Sequence, residues 1–248
     1  MNATLATLVS VIGVSLISLV GVVTLALQQK FLHKILHVLV SFAVGGLIGD
    51  ALIHLLPEAF EKVEKNLSVS LYAIAGVLIF FLLEKAVAWH RSHNLENAHP
   101  SHHIGVLNLI GDGLHNFIDG LLIAASYLVS IPLGIATTLA VILHEIPQEI
   151  GDFGILIHSG FSAPRAVLYN FLSALTAVAG AIVGLIAGGQ IENFSTAMLA
   201  VTAGSFLYIA GSDLIPELHK QDKPIVSLLE MLGIIAGVAV MAALTFID

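Results

Sequence analysis

Eight apolar runs of roughly 20 residues follow one another along this chain, near 5–27, 35–57, 69–90, 104–127, 131–157, 164–188, 195–217 and 225–246. Each is long enough to cross about 30 Å of hydrocarbon as a helix, whereas a barrel strand needs only about 9–11 residues. Inside lipid no water is present to satisfy backbone N–H and C=O groups, so a spanning segment must be a helix or part of a closed barrel. The run lengths therefore predict an all-α, polytopic membrane protein with eight transmembrane helices. Composition agrees: 57% of residues are hydrophobic and 10% charged, where a soluble domain carries about a quarter charged residues. The breaks between runs are short and polar, and none reads as an interdomain linker, so residues 1–248 are expected to form a single transmembrane domain.

Basic residues set the expected orientation, because cytoplasmic loops are enriched in Lys and Arg. With the N-terminus outside, Lys30, Lys34, Lys85, Arg91, Arg165, Lys220 and Lys223 fall on the cytoplasmic side and only Lys62 and Lys65 outside. The prediction is N-out and C-out. The start of the chain has no basic n-region, so no cleavable signal peptide is expected. Cysteine is absent, which removes disulfides, thiolate metal sites and a cysteine nucleophile together. The net charge of -8 comes partly from acids inside the spans and gives no reason to expect a nucleic-acid partner.

Those acids are the anomaly. HNFIDG (115–120) and HEIPQEIGD (144–152) place two histidines, several carboxylates and two amides within spans four and five. A carboxylate at a span's centre costs about 2.5–3.5 kcal/mol, so Asp112, Asp119, Glu145, Glu149 and Asp152 would together cost on the order of 10 kcal/mol unpaired. Lys and Arg are absent from residues 92 to 164, so the compensating charge must be a metal ion or protons. His115 and His144 lie mid-span, and the tight turn around Ser130 and Pro132 makes the two helices antiparallel neighbours. At about 100° per residue, Asp112, His115 and Asp119 share one face with Asn116 beside them, while His144 and Gln148 are one turn apart next to Glu145, Glu149 and Asp152. Imidazole with carboxylate and amide oxygen suits zinc first, then iron, manganese, cobalt or cadmium. Pro147 cannot donate to the carbonyl of Leu143, which predicts a kink beside His144. Interhelical polar contact is the alternative, natural for one such residue and less so for this many matched in depth.

Elsewhere the second span carries Asp50 and His54 one turn apart before Pro57, readable either as pathway lining or as helix-end pairing. Asn170 reads best as a hydrogen-bond partner of a neighbouring helix and His158, with Asp152, as a step toward the cytoplasmic end of the fifth span. His90, His93, His99, His102 and His103 cluster on the predicted cytoplasmic side, around loop 91–103, where a zinc-holding tract and a solvated linker are equally compatible with the sequence. Gly45, Gly46 and Gly49, and Gly180, Gly184, Gly188 and Gly189, are at the spacing of close helix contacts. A shift of 159 positions lays Gly45, His54, Leu55, Leu56, Pro57 and Glu58 on Gly204, Asp213, Leu214, Ile215, Pro216 and Glu217. With N-out topology the two spans run oppositely, so the copies would be inverted repeats.

These motifs resemble the ZIP (Zrt-, Irt-like) family of divalent metal transporters: HNFIDG, HEIPQEIGDF, GDALIHLLPE (49–58) and FLYIAGSDLIPEL (206–218). The resemblance implies eight helices arranged as three, two and three. It also implies a main transport site of His115, Asp119, His144 and Gln148, with an adjacent one of Asn116 and Glu145 in which Asp119 and Gln148 bridge. Gln148 departs from the His or Glu that many members carry, and its neutral amide is a weaker ligand. His144 tilts the expected cargo toward zinc.

The expected function is thus zinc uptake into the cytoplasm by alternating access, with zinc, iron, manganese or cadmium as substrate and no cofactor. Asp50, His54, Asp112, Glu149, Asp152, His158 and Asn170 would line the path or support the ligands. The other expected partner is the lipid bilayer, with the plasma (cell inner) membrane as the expected location and a homodimer left open. The rival is an intramembrane zinc-dependent hydrolase with Glu145 or Glu149 as general base. HEIPQ lacks the second histidine of HExxH, which weakens that rival.

Overall fold

A computed structural model describes residues 2–21, 29–62, 66–93, 101–190, 193–219 and 224–246. Among these residues every regular element is helical. In chain order they are α1 (Ala3–Ile17), α2 (Gln29–Gly49) continuing through a π turn (Asp50–Leu55) into α3 (Leu56–Glu61), α4 (Asn66–His93), α5 (Ser101–Val129) and α6 (Ile131–His158). There follow α7 (Ala163–Ala174), α8 (Thr176–Gln190), α9 (Phe194–Ile209) continuing through a second π turn (Ala210–Leu214) into α10 (Ile215–Leu218), and α11 (Pro224–Leu244). Six of the described helical stretches, 37–61, 67–86, 131–157, 163–190, 194–218 and 224–244, are long and apolar enough to cross a membrane. The chain is an integral membrane protein.

Among the described residues the apolar runs are helical, the first only as far as Ile17, with two refinements of backbone. The sixth run is interrupted at Leu175, where the helix of α7 closes and that of α8 begins. The second and seventh runs each widen to a π turn just before a proline. Pro57 and Pro216 have no N–H to bond the carbonyl four residues back. The preceding N–H groups reach one residue further instead, Leu56 to the carbonyl of Ala51 and Ile215 to that of Ala210. α6, by contrast, remains helical through Pro147.

Packing follows from small residues. A Cβ on Gly45 would lie 2.0 Å from the Ile234 carbonyl oxygen, and one on Gly237 2.3 Å from that of Phe42, so α2 and α11 touch backbone to backbone. The same reciprocal contact joins α4 to α9 through Gly76 and Gly204, and α5 to α8 through Gly120 and Gly180. The predicted glycine contacts at Gly46, Gly49, Gly184 and Gly188 are also made, whereas Gly189 meets nothing within 4 Å. In lipid such close approach replaces the hydrophobic drive that water would supply. The outer faces, with Leu71, Leu78 and Leu82 on α4 and Leu228, Leu232 and Ile235 on α11, are exposed apolar surface suited to acyl chains. The polar residues of α5 and α6 turn inward, toward one another and toward α4, α7 and α9.

Candidate metal site

One residue separates α5 from α6. Ser130 is extended there and its hydroxyl accepts the Leu133 N–H at 3.2 Å, while Pro132 occupies the first turn of α6. The resulting antiparallel hairpin is laced by the Thr137 hydroxyl donating to Ser126 at 3.0 Å. Its geometry brings the predicted mid-span residues face to face.

His115 and Asp119, one turn apart on α5, meet His144 and Glu145 of α6. His115 Nε2 lies 3.3 Å from His144 Nε2. Asp119 Oδ2 lies 3.1 Å from His144 Nε2 and 3.7 Å from His115 Nε2. Glu145 Oε1 lies 3.5 Å from His115 Nε2 and 3.6 Å from His144 Nε2. All four ligand atoms fall within 4.8 Å of one another. Zinc bonds of about 2.0–2.1 Å in a tetrahedron require donor–donor edges of about 3.3 Å, and the five distances straddle that value.

The histidines are held for this task. His144 Nδ1 lies 3.0 Å from the carbonyl of Ala140 and can only donate there, which leaves Nε2 as the lone-pair nitrogen facing the cluster. Phe80 stands edge-on to His115 at 5.4 Å and Phe206 edge-on to His144 at 5.8 Å, fixing the rings. Asp119, His144 and Glu145 are buried, and His115 faces a cavity of about 710 Å³. With neutral imidazoles, the four converging atoms include several acceptors and few protons. A cation at their centre would satisfy all of them at once.

The profile of a zinc transporter family, ZIP, matches residues 3–105 and 90–245. The chain belongs to the ZIP family. Among curated relatives it is 36% identical to zinc transporter ZIP13 of Pongo abelii over 225 residues, covering 85% of this chain and 67% of the relative. It is 32% identical to the Drosophila melanogaster ZIP13 homolog, over 86% of this chain and 78% of that protein. Zinc transporter SLC39A7 of Mus musculus is 30% identical, over 87% of this chain and 64% of that protein.

In this ZIP chain the other predicted residues fall into a surrounding polar layer. Asn116 and Gln148 are outside the quartet and both point their amide nitrogens at Asp112, whose Oδ1 is 2.8 Å from Asn116 Nδ2 and 3.5 Å from Gln148 Nε2. An ionised carboxylate only accepts, so Asp112 dictates which end of each amide it meets. The Asn116 oxygen is left buried with no hydrogen bond. The Ser173 hydroxyl donates to the other oxygen of Asp112. Asn170 Nδ2 donates to the Glu149 carboxylate, the neighbour-helix role expected of it. Asn108 Nδ2 donates to Asp152 Oδ1 at 2.8 Å.

Asp50 and His54 lie apart from the quartet, in the first π turn, with His54 Nδ1 3.1 Å from Asp50 Oδ1. The side chains of His90, His93, His102, His103 and His158, and the whole of His99, lie outside what the structure describes. Sequence reasoning missed Ser173, Asn108 and the two phenylalanines. Asn170 and Ser173 are three residues apart and so share a face of an apolar helix, which is the signal that identifies Ser173 as a partner. The phenylalanines left no such trace, since an aromatic in a span is ordinary.

Proposed function

We propose that this chain carries divalent cations, zinc foremost, across the membrane into the cytoplasm by alternating access, with His115, Asp119, His144 and Glu145 as the ligands. The observation that carries this reading is that the four donors converge and that two of them, His115 and His144, line a cavity of about 710 Å³. The cavity is lined by His37, Glu84, Asn108, Asp152 and Glu217, and no Lys or Arg contributes to its wall among the described residues. These residues belong to the half of each helix that ends on one side of the membrane. With the N-terminus outside, that side is the cytoplasm. On the other side of the quartet, Leu47, Leu55, Ile123, Val141, Leu199 and Phe206 pack as buried core and close the path. The arrangement suits an inward-open carrier.

Eight spans in a three, two and three arrangement, N-out and C-out, suit the same reading. Support for inverted repeats comes from the paired π turns before Pro57 and Pro216. It also comes from the crosswise contacts of Gly45 with α11 and Gly204 with α4, the last helices of the opposite copies. Asn116 and Gln148 act as an outer layer that Asp112 orients, and Asp152 accepts the ion on its way out. Hydrolysis is disfavoured because a catalytic zinc keeps an open position beside three protein ligands. Here four donors converge, and Glu149, the other candidate base, is engaged by Asn170.

Zinc flux into proteoliposomes holding the purified chain tests the proposal. His115→Ala combined with His144→Ala abolishes uptake if the quartet is the transport site, and uptake that survives the double substitution rejects it.

A further inference from the structure

We infer a second cation site, at the cytoplasmic side of the cavity, between His37 of α2 and Glu230 of α11. Glu230 is the one acid between Pro224 and Leu244, in a helix otherwise apolar enough to span the membrane. It is nonetheless buried, and its Oε1 makes no hydrogen bond among the described residues. A carboxylate so placed is neutralised by a proton or by a cation. His37 Nδ1 lies 3.5 Å from that oxygen, longer than the 2.7–2.9 Å of a charge-assisted N–H···O contact. The separation matches two donors on one metal: at bonds of about 2.1 Å it subtends about 113°, close to tetrahedral.

The pair is also built in. Ser41, one turn beyond His37, and Gly233, three residues beyond Glu230, are in such close contact that a Cβ on Gly233 would stand 2.2 Å from the Ser41 hydroxyl. The contacts of Gly237 and Gly45 continue that seam, so the two backbones cannot drift apart and the spacing of the two donors is preset. His37 lines the same cavity as His115 and His144, which gives an ion leaving the quartet a route to it. Two protein ligands are present among the described residues, and water would complete the shell. Such a site binds weakly and exchanges fast, as a station near an exit must.

The test counts zinc bound to the full detergent-solubilised chain by equilibrium dialysis, with His115→Ala and His144→Ala removing the quartet. Against that background Glu230→Gln, and independently His37→Ala, each lowers the count by one zinc per chain. The difference is unaffected by zinc held at His90–His103, which every variant retains. Glu230→Gln keeps the side-chain shape, and a melting temperature unchanged from the parent shows that it is folded; His37→Ala, at the cavity wall, carries the test if Glu230→Gln melts early. An unchanged count in the folded variants overturns the site and leaves the pair as a helix-to-helix contact. Failure of the quartet itself shows separately, as equal counts before and after its removal.

Discussion

His115 Nε2 and His144 Nε2 approach to 3.3 Å from opposite helices, and Asp119 Oδ2 lies within 3.7 Å of both. Two imidazoles at this distance share a proton or a cation. Because His144 Nδ1 is occupied by the Ala140 carbonyl, its Nε2 presents a lone pair, and a divalent ion could use that lone pair and both carboxylates simultaneously.

Removing one imidazole takes away a ligand and leaves Asp119 and Glu145 buried beside the gap. His144→Ala is expected to raise the zinc dissociation constant by more than the ~10–100-fold that loss of a mere outer-shell partner causes. Isothermal titration of the detergent-solubilised protein measures it, and a change below tenfold contradicts direct ligation.

Zinc binds the unprotonated imidazole, so protons compete with it. Affinity is expected to fall as pH drops, with a slope approaching about 100-fold per pH unit once both histidines must release a proton to bind. Equilibrium dialysis across a pH series reads this slope. An affinity that does not fall with decreasing pH anywhere the protein stays folded argues against histidine ligation.

Asp112 accepts from Asn116, Gln148 and Ser173 and so sets the direction of two amides. Asp112→Asn keeps the volume but can donate as well as accept, which releases that constraint. Zinc affinity is expected to weaken by about 10–100-fold while the ligand distances seen by X-ray absorption stay the same. A changed ligand count would instead place Asp112 itself on the ion.

Gly204→Ala puts a methyl 1.9 Å from the Ala73 carbonyl oxygen, which neither backbone can avoid without moving. The expected loss is about 1–3 kcal/mol, the usual scale of overpacking. A thermal melt in detergent detects it, and an unchanged melting temperature argues that α4 and α9 separate easily.

The helices were legible because hydrophobic length is a property of composition, readable without knowing what packs on what. His115, Asp119, His144 and Glu145 were legible for a related reason: polar residues in an apolar run must find one another, and a tight turn leaves them one place to do so. The π turns were not. They shift the register by a single residue and leave the hydropathy of 35–57 and 195–217 untouched. Gln148 and Asn116 show the other limit. Their spacing puts them beside the ligands, but only the third helix, through Ser173 and the placement of Asp112, decides which way their amides turn.

The one-residue joint at Ser130 has a further effect. With no slack between Val129 and Ile131, the two halves of the cage are tied at one end, so on the proposed mechanism an ion would meet the same four donors whichever face is open. A cage of equal affinity on both sides has no preferred direction of its own. Net flow through it is therefore dictated by the concentrations, and any voltage, on the two sides, and a reversed gradient should empty the compartment that a forward one fills.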